Sequence, residues 1–241
     1  MADFSRDGKW VVYVTYPERD VWRTRVDGAE ALQLTHGALR ARMPRISPDA
    51  RQVTFTGDYS GKVMRAWLVN FDGGEPRPAT HLAAGAAEVA PAWSPDGARL
   101  LFRLDRAVQR NLPQILDLPS GKIEDVPDSE QKLNQRWSPD GKRIAAKGVW
   151  TTLTQMRVDY PNWSRNSDYV YFSTRFESGE EAIYRVSLAS RNTERVTSLV
   201  GTPRAFNEIY NQWVGLAPDD SPLILRSADL QQIYLLSFAG R

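Results

Sequence analysis

Residue types that could act as nucleophiles or metal ligands are few in this chain. It contains no cysteine, which excludes a thiolate nucleophile and a cysteine-based metal site. The segment Gly57-Asp-Tyr-Ser-Gly61 is the nearest match to a Gly-x-Ser-x-Gly nucleophile elbow, but its spacing is wrong, and a hairpin loop is expected there. The two histidines, His36 and His81, follow equivalent strand ends and lack the close spacing of a metal motif. The sequence therefore predicts no catalytic residue, no metal site and no cofactor.

Acidic residues do recur at one position of a repeated turn, which raises the possibility of a carboxylate ring. They are Asp7, Asp49, Asp96 and Asp140. An Asp that accepts hydrogen bonds from its own turn accounts for this position without a catalytic role. The Gly-Lys pairs beside two of these residues lack the upstream glycine of a phosphate-binding loop. We interpret this set as turn-forming.

The turn is part of a phrase that recurs along the chain: a Ser, a turn and then a short apolar strand. Clear copies begin at Ser5, Ser47, Ser94, Ser138 and Ser164, and a more divergent copy begins at Ala217. The fullest copies carry an aromatic residue before the serine, as in Trp93-Ser-Pro-Asp-Gly97. Pro presets φ, Asp can bond its own backbone, and Gly accepts a positive φ. The phrase thus predicts a tight turn between two antiparallel strands.

Apolar residues alternate after each turn, at the sixth and eighth positions past the serine, as in Val53 and Phe55. This period of two predicts a strand, and most copies continue into a third strand and a short fourth. Four short antiparallel strands per repeat of roughly 40 to 45 residues are typical of a propeller blade. The predicted fold class is therefore all-β, a six-bladed β-propeller. Trp93, Trp137 and Trp163 are expected to pack between blades.

The spacing of the copies predicts one irregular blade. Successive phrases start 42, 47, 44, 26 and 53 residues apart, so the fourth blade is expected to be truncated to two or three strands. No obvious closing strand from the opposite terminus is visible, which favours a piece of a longer polypeptide over a ring closed by packing alone. We expect a single propeller domain, residues 1–241, with blades at about 1–40, 41–86, 87–130, 131–158, 159–208 and 209–241.

Any binding site of a propeller is expected at the mouth of its central channel, near the start of each innermost strand. The candidates are Arg42, Arg45, Asn134, Arg136, Asp159 and Asn162. Arginine and asparagine side chains would suit an anionic ligand or a peptide. The alternative interpretation is that these residues are solvated side chains of the channel rim.

Charge and composition restrict the classes of partner. Lys and Arg number 31 against 29 Asp and Glu, and the charges are dispersed, so no nucleic-acid partner is predicted. No apolar stretch approaches 18 residues, so no membrane insertion is expected. The first residues lack the basic and apolar regions of a signal peptide, so none is expected in this sequence. A monomer is expected.

The Trp-Ser-Pro-Asp-Gly phrase followed by an apolar-x-aromatic strand resembles the TolB-type, WD-repeat-like propellers of bacteria. The last segment, 213–234, resembles the final blade of propellers that follow winged-helix or kinase domains in bacterial sensor proteins. This chain differs from true WD-repeat proteins, because it has no Trp-Asp dipeptide. The resemblance implies a periplasmic location, whereas the chain's own sequence fits the cytoplasm equally well.

Two functions follow from this resemblance and from the lack of a catalytic set. The first is a non-enzymatic propeller that binds a protein or peptide partner, or senses a ligand, within a larger protein or assembly. The alternative is the propeller of a prolyl-oligopeptidase-type serine peptidase whose catalytic domain lies outside residues 1–241. A propeller hydrolase or lyase with a site at the channel mouth is a third possibility.

Overall fold

The turn phrases delimit a series of small antiparallel sheets. The computed structural model describes residues 1–59, 62–81, 86–106, 112–127, 133–147, 152–175, 181–204 and 214–226. Sheet 1 contains β1 (Ala2–Phe4), β2 (Trp10–Val14), β3 (Val21–Arg25) and β4 (Leu32–Gln33), and sheet 2 contains β5 (Leu39–Ile46), β6 (Gln52–Tyr59), β7 (Arg65–Asn70) and β8 (Arg77–Pro78). Sheet 3 contains β9 (Ala86–Trp93), β10 (Arg99–Arg106), β11 (Leu112–Asp117) and β12 (Ile123–Asp125), and sheet 4 contains β13 (Leu133–Trp137) and β14 (Ile144–Lys147). Sheet 5 contains β15 (Asp159–Trp163), β16 (Tyr169–Arg175), β17 (Glu181–Ser187) and β18 (Thr193–Ser198), and sheet 6 contains β19 (Val214–Leu216) and β20 (Pro222–Ile224).

The all-β class and the propeller arrangement are confirmed, because each sheet is a meander of sequential strands that packs face to face on the next. Four of the six sheets have four strands, so the described residues contain four full blades. Sheets 4 and 6 have two strands each within this part of the chain, and the count of six blades stays a prediction. A closing strand from the opposite terminus is not seen among the described residues, and all strands of sheet 1 lie before residue 34.

Each turn phrase does join two antiparallel strands, and its polar residues hold the turn closed. The Ser94 hydroxyl donates to Asp96 at 2.5 Å and accepts from the Arg99 amide at 2.9 Å, while Asp96 also accepts from the Ala98 amide at 3.0 Å. The same pattern recurs at Ser5, Ser47, Ser138 and Ser164. These serines are buried. The interpretation of the repeated Asp as turn chemistry is therefore supported by its contacts.

The core lies between the sheets rather than within any one of them. One cluster joins sheets 1 and 2 around Val12 and Phe55, and another joins sheets 2 and 3 around Leu68 and Phe102. A third joins sheets 4 and 5 around Phe172. Both faces of sheet 2 are therefore buried. Thr54 and Phe55 are neighbours in β6, so their side chains lie on opposite faces, and both are fully covered. A single blade could not bury these faces alone, so stability is collective.

We expect Ser94→Ala to lower the free energy of unfolding by about 1 kcal/mol, because it removes the acceptor of the half-buried Arg99 amide. The Ser94 hydroxyl is also the main cause that lowers the pKa of Asp96, so removing it should return that pKa towards its ordinary value. A lowered folded-state pKa contributes stability that is lost as pH falls through that pKa, so the variant should lose less stability between neutral and acid pH.

Urea unfolding of the Ser94→Ala variant at pH 7 and at pH 3 measures both effects. Ser190→Ala, in an exposed turn between β17 and β18, is the matched control and should change stability by less than about 0.5 kcal/mol. Equal losses in the two variants would contradict the role assigned to the buried serine.

Candidate functional site

A cavity of about 590 Å³ lies where the inner strands of all six sheets end. The inner strand of each sheet is its first strand. Each inner strand contacts the next one in the series β1, β5, β9, β13, β15 and β19. The turn phrases that follow these strands form part of the wall, including Ser47, Ser94 and Ser138. We call this space the channel cavity.

Equivalent residues of the six sheets line the channel cavity. Each is the penultimate residue of its inner strand, directly before the aromatic or apolar residue that precedes the turn. This channel ring consists of Asp3, Arg45, Ala92, Arg136, Asn162 and Gly215. Its two small members, Ala92 and Gly215, leave room in the cavity. Its polar members bring hydrogen-bonding groups together from sheets 1, 2, 4 and 5.

The channel ring carries two guanidinium groups and one carboxylate. Arg45 Nη1 lies 3.7 Å from Asp3 Oδ1, while Asp3 Oδ2 accepts from the Ile46 amide at 2.9 Å. Burial lowers the pKa of Arg136 to about 9, helped by the positive charge of Arg45 and opposed by Asp3. Arg136 therefore remains protonated at neutral pH. The ring has a net positive charge and is suited to an anionic or polar ligand group.

Tryptophans fix the channel ring by bonding from one sheet to the next. Trp93 Nε1 donates to the Arg45 carbonyl at 3.2 Å, and Trp163 Nε1 donates to the Arg136 carbonyl at 3.0 Å. Trp93 also packs beside the cluster between sheets 2 and 3, as predicted for an inter-blade residue. All three tryptophans of the phrase are nevertheless only half-buried, because they line the cavity.

Two arginines extend across the turn side of the channel cavity. Arg6 Nη2 donates to the Pro95 carbonyl at 2.8 Å, and Arg165 Nη1 donates to the Arg6 carbonyl at 2.7 Å. These bonds join sheets 1, 3 and 5, which are not neighbours in the order of the sheets. Arg6 and Arg165 thus partly cover the cavity and add positive charge to its edge.

Removing both covering side chains, in Arg6→Ala with Arg165→Ala, should open the turn side of the cavity. Because these side chains are exposed, the double variant should lose less than about 1 kcal/mol of stability. The cavity tryptophans should become more accessible, which acrylamide quenching of tryptophan fluorescence measures as a steeper quenching slope. An unchanged slope would show that the two arginines do not restrict access.

Three of the six candidates from the sequence, Arg45, Arg136 and Asn162, lie in the channel ring. They lie at the ends of their strands and not near the starts, because the strand ends, with their turns, converge on this cavity. Asn162 Nδ2 donates to the Tyr160 carbonyl at 2.7 Å and to the Val214 carbonyl at 3.3 Å, which fixes its amide.

Two of the other three candidates, Arg42 and Asp159, do not line the channel cavity. Arg42 donates to Asp58 within sheet 2, and Asp159 begins β15, where its carboxylate lies 3.9 Å from Arg157 Nε. Asn134 lies in β13, and its side chain is outside the described part of the structure.

Sequence reasoning missed Asp3, Arg6 and Arg165. A signal for the two arginines was available, because both stand directly after the phrase serine, where most other copies have proline.

Two of the catalytic candidates considered from the sequence, His36 and His81, lie in the described part of the structure. His36 and His81 are both exposed, in the loops where they were expected. Among the described residues, no group of three or more His, Asp or Glu could hold a metal ion. Ser60 and Gly61, part of the segment compared with a nucleophile elbow, lie outside the described residues.

Comparison with solved structures identifies the fold. Structures of TolB from Acinetobacter baumannii (TM-score 0.66, 20% identity) and of a protein assigned as TolB from Agrobacterium tumefaciens (TM-score 0.68, 15% identity) match 80% and 95% of this chain. The matches cover 52% and 90% of those chains. The chain has the fold of a TolB-type β-propeller. An oligogalacturonate lyase in complex with manganese shares the propeller fold more distantly, at a TM-score of 0.60 and 11% identity over 96% of this chain and 77% of the lyase.

Two curated proteins are similar in sequence to this TolB-type propeller. The uncharacterised peptidase YuxL of Bacillus subtilis (strain 168) is 24% identical over 211 residues, which are 74% of this chain and 30% of YuxL. The uncharacterised protein Atu1656 of Agrobacterium fabrum (strain C58 / ATCC 33970) is 31% identical over 155 residues, 59% of this chain and 52% of Atu1656. The chain therefore spans about half or less of the curated relatives that it matches.

No family model matches the propeller sequence. A search of the described residues for a helix long and apolar enough to cross a membrane finds none.

Proposed function

We propose that this chain is a six-bladed TolB-type propeller that binds a protein or peptide partner at the mouth of its central channel and catalyses no reaction. In this proposal residues 1–241 form one domain, and the short fourth blade consists of the two strands of sheet 4. The observation that carries the proposal is the channel ring, which brings Arg45, Arg136 and Asn162 to one cavity of about 590 Å³.

The chemistry of the cavity favours a polar, partly anionic segment of a partner. Arg45 and Arg136 supply charge-assisted donors, and Arg6 and Arg165 add guanidinium groups at the turn side. A guanidinium presents several donors in a planar fork that matches carboxylate groups. An acidic loop or the carboxylate of a peptide would therefore satisfy several of these arginines at once. We propose a monomer in the periplasm, in keeping with the resemblance to TolB-type propellers.

A photo-crosslinking residue in place of Arg165 would test this proposal in the source cell. Arg165 is exposed and lines the cavity, so a bound partner should be captured as one discrete product. The same residue in place of the exposed Val196 on β18 is the control and should give no such product. The product should disappear when Arg136→Glu is added. No product from position 165, or equal products from both positions, would contradict channel binding.

The second candidate function is a propeller attached to a serine peptidase of the prolyl-oligopeptidase type. The similarity to YuxL favours it, because the match covers 74% of this chain but only 30% of that peptidase. In this case the channel cavity would admit peptides to a catalytic domain outside residues 1–241. Sequencing the full reading frame decides between the two, since an α/β-hydrolase sequence in the same frame supports the peptidase and a frame without one contradicts it.

A further inference from the structure

A second cavity, of about 580 Å³, lies between sheets 4 and 5, away from the channel. Three parts of the chain supply its apolar lining: β14, the segment 152–158 and the face of sheet 5. The apolar lining includes Ile144, Ala145, Leu153, Met156, Val170 and Phe172. We call this space the groove. Of the described residues that line the groove and the channel cavity, only Trp163 is common to both.

The groove lies beside sheet 4, which has two strands within the described part of the chain. In sheets 1, 2, 3 and 5 the strand after the turn phrase pairs with a third strand, whereas β14 pairs only with β13 within the described part of the chain. The face of sheet 5 that carries Val170 and Phe172 therefore meets a narrow neighbour. Residues 152–158, which form no strand, lie against it through Leu153 and Met156. They leave an apolar space where a full blade would pack.

Among the described residues, three arginines line the groove and no Asp or Glu does. The side chains of Arg143 and Arg157 are 56% and 69% exposed, and Arg191 is also exposed. Asp140 lies 3.8 Å from Arg143, and Asp159 lies 3.9 Å from Arg157. Such exposed ion pairs contribute about 0–1 kcal/mol, so they compete weakly with an incoming carboxylate. Arg191 donates to the Thr152 carbonyl at 3.3 Å and has further donors.

We infer that the groove binds a short extended segment of a partner protein in which apolar residues stand next to Asp or Glu. The volume is within the range of about 300–1,000 Å³ that is usual for binding pockets. Apolar side chains of the segment would pack on the half-buried Leu153 and Met156, beside the already buried Val170 and Phe172. Its carboxylates would meet the exposed arginines. An extended segment could also pair with the edge of β14 that has no partner strand among the described residues, since unpaired sheet edges accept an added strand.

The charge complementarity decides between the possible occupants. A second copy of this chain would need to present an acidic apolar surface, and the described residues show exposed large apolar side chains only singly, such as Tyr16 and Val200. An uncharged apolar molecule would carry no carboxylate to pair with the arginines of the groove. The groove inference is independent of the proposed channel function, because the two surfaces lie in different places and use different arginines.

Selection of peptides on the purified full chain tests the inference. A phage library of random nine-residue peptides is the probe, and selected sequences should combine apolar residues with Asp or Glu. A fluorescein-labelled selected peptide should bind in fluorescence anisotropy, and the double variant Arg143→Glu with Arg191→Glu should weaken binding about tenfold or more. Met156→Glu, which places a charge in the apolar lining, should also weaken binding.

A matched variant separates the groove from the rest of the molecule. Arg51→Glu reverses an exposed arginine on a distant turn and should leave peptide affinity within about twofold. A loss of affinity in Arg136→Ala would instead place the peptide in the channel cavity and contradict the groove inference. The inference is wrong if no peptide is selected, if selected peptides lack acidic residues, or if the arginine variants bind equally well. It is also wrong if the chain dimerises in sedimentation equilibrium and Met156→Glu abolishes the dimer, because the occupant would then be a second copy.

Discussion

Replacing Glu88 with Ala is expected to lower the free energy of unfolding by about 3–5 kcal/mol, since it removes one partner of a buried ion pair. Glu88 lies in β9 of sheet 3 and is fully buried. Its carboxylate accepts from Arg65 Nε and from the Ala66 amide, both at 3.1 Å, and from the Thr80 hydroxyl. Arg65 and Ala66 belong to β7 and Thr80 follows β8, so one side chain of sheet 3 joins two blades. Alanine would leave the buried Ala66 amide and Thr80 hydroxyl, and the half-buried Arg65, without this acceptor.

The conservative variant and a double-mutant cycle separate charge from shape. Glu88→Gln keeps an acceptor but loses the charge, so its cost should be smaller than that of Glu88→Ala. Adding Arg65→Met to Glu88→Ala should recover part of the loss, because it removes the cation that is left unpaired. Arg51→Ala removes an exposed ion pair with Asp49, and it should cost less than about 1 kcal/mol. Urea unfolding at pH 7 measures these four variants and the Arg65→Met single variant that closes the cycle. A Glu88→Ala cost close to that of Arg51→Ala would contradict the role of Glu88.

The parts of the fold that sequence reasoning predicted are those determined within a few residues. The Ser94 and Asp96 contacts close a turn of six residues, so the residue types at these positions carry the structure by themselves. The repetition of that turn then implies sequential antiparallel sheets. The propeller arrangement follows because sheets with two apolar faces must be covered on both sides.

The network around Glu88 was not predictable in this way. Arg65, Thr80 and Glu88 come from two repeats and meet only after sheets 2 and 3 have packed. In the sequence, Glu88 is an ordinary charged residue in an apolar strand, with no spacing that marks its partners. Charged residues usually lie at the surface. Glu88 is buried here because three specific donors offset the cost of burying its carboxylate.

The channel site was predictable by residue type but not by position. Arg45, Arg136 and Asn162 were recognised as polar residues of inner strands, yet Arg42 and Asp159 belong to the same strands and do not line the cavity. Side chains of a strand alternate between faces, and the wall of the cavity includes only the strand ends and their turns. Which end converges depends on the three-dimensional arrangement of all six inner strands, and no single repeat contains that information.

The largest core effects are expected at the eighth position past the phrase serine, and they should differ between blades. Phe102→Ala should lower the free energy of unfolding by about 3–5 kcal/mol, because the ring is 1% exposed between two full sheets. Phe172 holds the same position in its repeat and is equally buried, but it lines the groove and stacks on Tyr184 at a centroid distance of 6.0 Å. Its replacement with Ala would enlarge an existing space instead of opening a closed void.

We therefore expect Phe172→Ala to cost less than Phe102→Ala, by about 1 kcal/mol or more, since the cavity contribution depends on how far the surroundings can close. The segment 152–158 can shift towards the vacated volume because it has no strand partner. Phe55→Ala, at the same repeat position between sheets 1 and 2, is the matched control and should resemble Phe102→Ala. Urea unfolding of the three variants gives the comparison. Equal costs at Phe172 and Phe102 would mean that the face of sheet 5 is as tightly packed as the faces between full blades, and the groove would then lose its physical basis.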